Sequence, residues 1–185
     1  MLAYVFWHWP ASDVEPAAYE RGLAEFHRAL ARMAPSGFRG SLVLRVEGRA
    51  PWLGGTPAYA DWYLVDDSAA LDALNTAAVS GAAQAPHDHV AHAASAGVGS
   101  LLALRGEQAD VAAARQMTWL AKPKGMPYDE FYSAVAAAPG MQQASLWRRQ
   151  MVLSPTPEFG ILSAAPVELA ERFQPLRLAV NRLTG

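Results

Sequence analysis

The densest group of side chains that could bind a metal ion lies in the stretch Pro86-His87-Asp88-His89-Val90-Ala91-His92. If this stretch is helical, Asp88 and His92 are one turn apart, and His89 is about 60° from His92 around the axis, because each residue advances by roughly 100°. A carboxylate and two imidazoles at such positions suit divalent iron or zinc. Alternatively, Asp88 stabilises the first turn of the helix and the histidines are solvated.

A second candidate for chemistry is His8, which lies between Trp7 and Trp9 in an apolar segment. In a strand, His8 shares a face with Tyr4 and Phe6, because successive side chains point to opposite faces. If that face lines a cavity, His8 is a buried acid or base whose protonation the surroundings can tune. The alternative is a core histidine with a single hydrogen bond to a neighbour.

Polar and aromatic residues on other strands could complete a ligand site. Arg45 and Arg148 would hold an anionic group, because an arginine that faces a closed cavity needs a negative partner. Tyr63 adds a hydroxyl group that could donate a proton, and Trp62 and Trp147 add stacking surfaces. Together with His8, this set predicts a site for a small aromatic or carboxylate-bearing molecule.

Less specific interpretations remain open for the charged residues. The two arginines could reach solvent at strand ends and pair there with Asp61 or Glu158. His27 lies beside the apolar stripe of a predicted helix, and we expect it at the helix surface.

Composition narrows the function classes. The chain has 185 residues, 52% of them hydrophobic, a formal net charge of −2 and no cysteine. The charge disfavours nucleic acid and anionic membranes as partners, and the apolar N-terminus is too short for a membrane span. Without cysteine there is no disulfide or thiolate site, which fits a cytoplasmic protein. Because GxGxxG, P-loop and GxSxG motifs are missing, we expect no cofactor.

Hydrophobic periodicity predicts an α+β fold. The first half gives strands and helices in the order β-α-β-β-α-β, with a short further helix opened by Pro86 and closed by Gly97 and Gly99. The same order follows in the second half, where a strand over residues 144–153 and a short helix over residues 166–173 are expected. The predicted domains are a ferredoxin-like repeat over 1–106, a connector over 107–114 and a second repeat over 115–185.

A ferredoxin-like unit covers one side of its sheet with helices. The predicted strands are apolar on both faces, which indicates that the side without helices is covered as well. The sheet of the other half is the simplest cover. We therefore expect the two sheets to face each other and to enclose a cavity.

The order of elements and the aromatic-rich strands resemble the dimeric α/β-barrel superfamily. The segments Trp62-Tyr63-Leu64-Val65-Asp66-Asp67 and Trp147-Arg148-Arg149-Gln150-Met151-Val152-Leu153 are similar to uncharacterised bacterial proteins of this kind. In that superfamily two subunits pair through their sheets, whereas here one chain would supply both. The resemblance implies a cofactor-independent monooxygenase- or isomerase-like enzyme at most.

Three hypotheses for function follow. The first is a small-molecule protein or enzyme with His8 and Tyr63 as catalytic groups and Arg45, Trp62, Trp147 and Arg148 as binding groups. The second is a metal- or haem-binding protein that uses Asp88, His89 and His92. The third is a non-catalytic binding protein, for which free strand edges make a homodimer the expected assembly.

Overall fold

A computed structural model describes residues 1–106 and 110–183 of the chain. The helices are α1 (Pro16–Met33), α2 (Ala69–Ala78), α3 (Gly81–Ala93) and α4 (Tyr128–Ala136). The strands are β1 (Leu2–Pro10), β2 (Phe38–Glu47), β3 (Ala58–Val65), β4 (Ala94–Arg105), β5 (Gln116–Leu120), β6 (Ala144–Arg149), β7 (Phe159–Ser163) and β8 (Leu176–Arg182). In the described part of the chain, no helix is both long and apolar enough to cross a membrane.

All eight strands form one closed antiparallel barrel in the order β1-β3-β2-β8-β5-β7-β6-β4. The first four strands are neighbours in the order β4-β1-β3-β2, and the last four in the order β8-β5-β7-β6. Edge pairs β2–β8 and β4–β6 join the two sets. The chain is thus an α+β protein in which two sets of four strands pair along both edges and close one barrel. That the two halves arose by duplication stays a prediction.

Alternation along the strands determines which side chains fill the barrel. Ala3, Val5 and Trp7 of β1 point inward, whereas Tyr4, Phe6 and His8 point outward towards the helices. Inward side chains from all parts of the barrel form one buried cluster, in which Trp7, Trp52, Trp62, Trp119 and Trp147 are the largest members. Burial of so much aromatic surface is a main source of stability.

The tryptophans inside the barrel contact one another. The ring of Trp7 lies 5.6 Å from that of Trp52 and 5.5 Å from that of Trp119, both in edge-to-face arrangements. The rings of Trp62 and Trp147 contact each other in the same manner at 5.4 Å. We expected a ligand cavity between the two sheets; tryptophan rings lie in that space, and the cavity described below lies on the opposite face of the first-half strands.

The helices of the first half cover the outer face of β1, β2 and β3. Pro16 begins α1 after Glu15, whose carboxylate accepts a hydrogen bond from the N–H of Ala18 and so caps the helix. The buried stripe of α1 includes Tyr19, Leu23, Phe26 and Leu30. This stripe packs on the outward side chains of the strands and forms a second buried cluster.

The third helix differs from our expectation at both of its ends. It begins at Gly81 rather than at Pro86, which lies inside it. Packing outweighs the hydrogen bond that the proline removes, because α3 contacts α1 so closely that a Cβ at Gly22 would lie 2.8 Å from Val90 Cγ1. Gly97 and Gly99 belong to β4, where the rings of Phe6 and Tyr4 lie against them and leave no room for larger side chains.

The second half contains less helix than predicted. Residues 166–173 form only a 3₁₀ turn at Glu171–Phe173, and β6 ends at Arg149 rather than at residue 153. Of the predicted connector, residues 107–109 lie outside the described residues, and Val111–Ala113 is a 3₁₀ turn. The outer face of this half packs on α4 and the segment after β7, where apolar side chains form a buried cluster around Phe131 and Phe159.

Candidate active site

A cavity of about 420 Å³ lies between the outer face of β1 and β3 and the three helices of the first half. Its floor is formed by the strands and its walls by the helices. The lining residues are Tyr4, Phe6, His8, Tyr19, Leu23, Phe26, Asp61, Tyr63, Leu71, Leu74, Asn75, Ala78, Val79, His87, Val90, Ala91 and Ala94. This volume suits a small organic molecule.

Asp61 is the centre of the polar groups at this site. It is 3% exposed and lies in the middle of β3. One carboxylate oxygen, Oδ1, is 3.0 Å from His8 Nε2, and the other, Oδ2, is 3.2 Å from His27 Nε2. The hydroxyl group of Tyr63 donates a hydrogen bond of 3.0 Å to Oδ2. Three side chains from β1, α1 and β3 therefore converge on one buried carboxylate.

The other nitrogen of each imidazole contacts a hydroxyl group. His8 Nδ1 is 2.7 Å from the Tyr19 hydroxyl oxygen, and His27 Nδ1 is 2.7 Å from Ser41 Oγ. An ionised carboxylate can only accept hydrogen bonds, so the Nε2 atoms that face Asp61 carry the hydrogens. In the neutral imidazoles, Nδ1 is then the acceptor, and Tyr19 and Ser41 are the donors.

The charge state of Asp61 follows from its partners. Burial by itself would raise the pKa of this carboxyl group, but the positive charge that His8 and His27 carry when protonated, at contacts of 3.0 and 3.2 Å, holds the pKa well below its ordinary value. Asp61 is therefore ionised throughout the physiological pH range. A fixed negative charge beside His8 stabilises the imidazolium that His8 becomes when it accepts a proton.

The two tyrosines that contact His8 and Asp61 remain protonated. Burial, and then the charge of Asp61, raise the pKa of Tyr19 well above its ordinary value. The same two causes, in the same order, raise the pKa of Tyr63. Tyr19 is thus a hydroxyl donor to His8 at the cavity wall, and Tyr63 is a donor that orients Asp61.

Arg45 lies near this network but does not line the cavity. Its guanidinium Nη1 is 3.2 Å from Glu20 Oε1, and its Nε is 3.4 Å from Glu47 Oε1. Glu20 also accepts a hydrogen bond from Tyr59 at 2.9 Å. The arginine thus has acidic partners within the protein.

The remaining predicted binding residues lie elsewhere. Trp62 and Trp147 are in the barrel interior, on the opposite face of the sheet from His8. Arg148 is on the outside of the second half, where Nε donates to Glu158 at 3.0 Å and the guanidinium lies 4.5 Å from the centre of the Tyr128 ring. The pairing with Glu158 is one of the two partners we considered from sequence. Only His8 and Tyr63 of the predicted ligand-site residues reach the cavity.

Asp88, His89 and His92 do not converge. Asp88 Oδ1 is 3.1 Å from His87 Nδ1, the ring of His89 packs near Gly22, and His92 Nδ1 is 2.6 Å from the carbonyl of Asp88 in its own helix. Within residues 1–106 and 110–183, no three histidine, aspartate or glutamate side chains are placed to hold one metal ion. The geometry therefore disagrees with the predicted metal site, and the haem-binding alternative stays a prediction.

Sequence reasoning missed Asp61, Tyr19 and His27 as members of the site. His27 is 8% exposed, which contradicts the surface position we expected. A signal was present for Asp61, because it is the one charged residue in the otherwise uncharged strand segment Ala58–Val65. A charged residue in a strand that is covered on both faces needs buried partners of opposite charge or hydrogen-bonding partners. Histidines on neighbouring elements were the candidates for these partners.

Comparison with known proteins supports the fold alone. No protein-family model and no curated protein matches the chain. A solved structure from Fusobacterium nucleatum subsp. nucleatum ATCC 25586, described as a "Putative monooxygenase", has 10% identity and a TM-score of 0.61, covering 99% of this chain and 92% of that one. One from Lactobacillus acidophilus NCFM, described as a "putative monooxygenase", has 12% identity and a TM-score of 0.57, with coverages of 99% and 94%.

A third solved structure, described as a "Putative Chlorite dismutase", has 12% identity, a TM-score of 0.54, and coverages of 98% and 95%. These likenesses extend over nearly all of each chain and accompany a closed eight-stranded barrel. The chain shares the overall fold of these solved structures, and one polypeptide supplies all eight strands of its barrel. At the level of the fold, this agrees with the predicted resemblance to the dimeric α/β-barrel superfamily.

Proposed function

We propose that this protein binds a small, uncharged aromatic molecule in the cavity beneath α1, α2 and α3, and that His8 removes a proton from it. The observation that carries the proposal is a buried imidazole–carboxylate pair, His8 and Asp61, at the wall of a largely apolar cavity. A base in such surroundings is typical of sites for proton transfer.

Protons would move through Tyr19. The ligand donates a proton to the Tyr19 hydroxyl oxygen while that hydroxyl passes its own hydrogen to His8 Nδ1, 2.7 Å away. Tyr19 ends neutral, His8 becomes an imidazolium, and the ligand becomes an anion. Asp61 remains ionised and stabilises the imidazolium electrostatically, as the carboxylate does in a Ser-His-Asp triad.

Charge complementarity favours an uncharged ligand over the carboxylate-bearing one that the sequence also suggested. The cavity wall contains the ionised Asp61, and none of the lining residues is arginine or lysine. A bound carboxylate would be desolvated near a like charge without a cationic partner. Arg45 and Arg148, which were expected to hold such a group, form ion pairs with glutamates of the protein instead.

An aromatic ligand suits the lining. Rings of Tyr4, Phe6, Phe26 and Tyr63 face the cavity together with several aliphatic side chains. Planar rings pack favourably against such surfaces in offset or edge-to-face arrangements. Removal of a proton from a phenol-like molecule would leave an electron-rich anion, which is the first requirement of both isomerisation and cofactor-independent oxygenation. The descriptions of two structural neighbours as monooxygenases support the second of these chemistries.

A chromophoric phenol tests the proposal. With 4-nitrophenol in a buffer below the pKa of the free compound, binding to the native protein should produce the absorption band of the phenolate. The His8→Leu variant should bind the phenol without this band, because leucine keeps the apolar volume but accepts no proton.

The outcomes separate the alternatives. Binding without a phenolate band in the native protein would identify a non-catalytic binding protein and contradict the proton-transfer step. If the phenol does not bind at all, or if benzoate binds more tightly than phenol, the assignment of the cavity to uncharged aromatic molecules fails. If the native protein does produce the phenolate band, oxygen consumption on addition of a hydroquinone would support oxygenation as the reaction.

A further inference from the structure

One surface outside the cavity combines an unpaired strand edge with exposed apolar side chains. Strand β4 pairs with β1 along most of its length, but with β6 only through Leu102–Arg105. In the described part of the chain, the segment Ser95–Gly99 has no strand partner on the side away from β1. Four of its five residues are exposed, and only Val98 is half-buried. Backbone N–H and C=O groups on that side are free to pair with another chain.

An apolar loop lies next to this edge. Met151, Val152 and Leu153 are 76%, 83% and 48% exposed and follow one another directly. The loop is attached to β4 by two backbone hydrogen bonds, from Leu101 N–H to the Leu153 carbonyl and from Gln150 N–H to the Leu101 carbonyl, both of 2.8 Å. The exposed side chains and the free edge therefore form one continuous surface.

The loop is held in a defined conformation. Arg149 donates hydrogen bonds to the carbonyls of Met151 and Thr156, and the Leu153 N–H donates to the Gln150 carbonyl. Met151 has a φ of 51°, in the left-handed region that a methionine rarely adopts. Fixed presentation of three large apolar side chains reduces the entropy lost when a partner covers them.

Charge at this surface suits a second copy of the same chain. Residues 94–104 and 150–157 contain no aspartate, glutamate, lysine or arginine. Proteins protect free strand edges with such charges, or with proline, when the edges must stay unpaired. Two identical copies can therefore approach here without like-charge repulsion. Antiparallel pairing of a strand with its own copy is also self-complementary and closes after two chains.

We propose that Ser95–Gly99 and Met151–Leu153 form the interface of a two-fold homodimer. The two β4 edges pair antiparallel across the axis, and the loop of each copy buries its apolar side chains against the other. Small side chains at Ala96, Gly97 and Gly99 allow the two backbones to come within hydrogen-bonding distance. The association is independent of the ligand proposed for the cavity.

Sedimentation equilibrium of the full chain over a range of concentrations tests this assembly. The native protein should be dimeric, and Val152→Lys and Ser95→Lys should each weaken the dimer by about tenfold or more. Val79→Lys is the matched control: Val79 is another exposed apolar residue, 47% exposed at the end of α2, and its replacement should leave association unchanged.

Hydrogen exchange provides a second readout. Amides of Ser95–Gly99 that point away from β1 should exchange slowly at dimer-forming concentrations and rapidly on dilution. A native protein that is monomeric at all concentrations overturns the proposal. So does a dimer that withstands either lysine variant, or one whose formation leaves these amides unprotected.

Discussion

The outer faces of the two halves have the same strand geometry and different chemistry. In the first half Trp7 of β1 is paired with Ala60 of β3, and in the second half Trp119 of β5 is paired with Gly160 of β7. Both tryptophans point into the barrel. These pairs therefore define equivalent positions, from which neighbouring residues can be compared.

At three pairs of equivalent positions the first half has titratable groups where the second has hydrocarbon. His8 corresponds to Leu120, and Asp61 corresponds to Ile161. Tyr59 corresponds to Phe159, in each case opposite an arginine of the next strand. The second half packs these apolar residues directly against α4, whereas the first half leaves a cavity of about 420 Å³.

The difference separates what the fold needs from what the site needs. Leucine and isoleucine at the positions of His8 and Asp61 are compatible with the same barrel. A buried ionic network generally stabilises a fold no better than well-packed apolar residues do. The histidine–aspartate network is therefore not required by the barrel fold, which is consistent with the role in proton transfer that we propose for it.

Replacing Asp61 by the residue of the other half should have the largest effect on stability. Asp61→Ile leaves the donors of His8, His27 and Tyr63 buried without an acceptor, and we expect a loss of about 3–5 kcal/mol in the free energy of unfolding. Urea denaturation measures this loss. A decrease of less than about 1 kcal/mol would show that the network is not coupled as the distances indicate.

Acid should destabilise the protein through protonation of Asp61. The folded pKa of Asp61 is below its unfolded value, so the unfolded chain takes up this proton first as the pH falls. The stabilisation is complete above about pH 5 and is lost progressively towards lower pH. Native protein should lose stability over this range more steeply than Asp61→Asn does. Parallel curves for the two proteins would contradict the assigned charge state.

The equivalent position of the second half should respond as ordinary core. Ile161→Val removes one buried methylene group and should cost about 0.5–1.5 kcal/mol. Because no charge is involved, the loss should be the same at pH 7 and at about pH 4. A pH-dependent loss would contradict the distinction between titratable groups in the first half and an apolar core in the second.

The two strand arginines should have the smallest effects. Arg45→Gln and Arg148→Gln each break partly exposed ion pairs with glutamates, and we expect changes within about 1 kcal/mol. Neither change should weaken phenol binding, because neither side chain lines the cavity. Reduced binding by Arg45→Gln alone would indicate that Glu20 and Tyr59 influence the site.

Sequence periodicity predicted the elements well where local and tertiary preferences agree. The strand at the N-terminus and the helix after Pro16 are examples, since proline position and apolar spacing both indicate them. The prediction was wrong for α3, because contact with α1 at Gly22 stabilises a helix that contains Pro86. It was also wrong for residues 166–173, where Val167, Leu169 and Phe173 are buried but only Glu171–Phe173 forms a 3₁₀ turn.

For the site, the sequence indicated His8. It indicated neither the residues that contact His8 nor which face of the sheet lines the cavity. Strand alternation placed His8 with Tyr4 and Phe6, as the structure has it. Which face holds a cavity depends on side-chain volumes from several elements, and here five tryptophans pack together on the inner face. Asp61 and His27 become partners of His8 only through the register of β1 with β3 and the packing of α1.

Mapping of bound phenol by nuclear magnetic resonance tests the central claim most directly. Titration of the native protein should shift signals of Tyr4, His8 and Leu74 at the cavity, and leave signals of Leu120, Phe131 and Ile161 in the second half unchanged. Shifts centred on the barrel tryptophans or on the second half would contradict the account. So would shifts at the cavity that persist unchanged when benzoate replaces phenol.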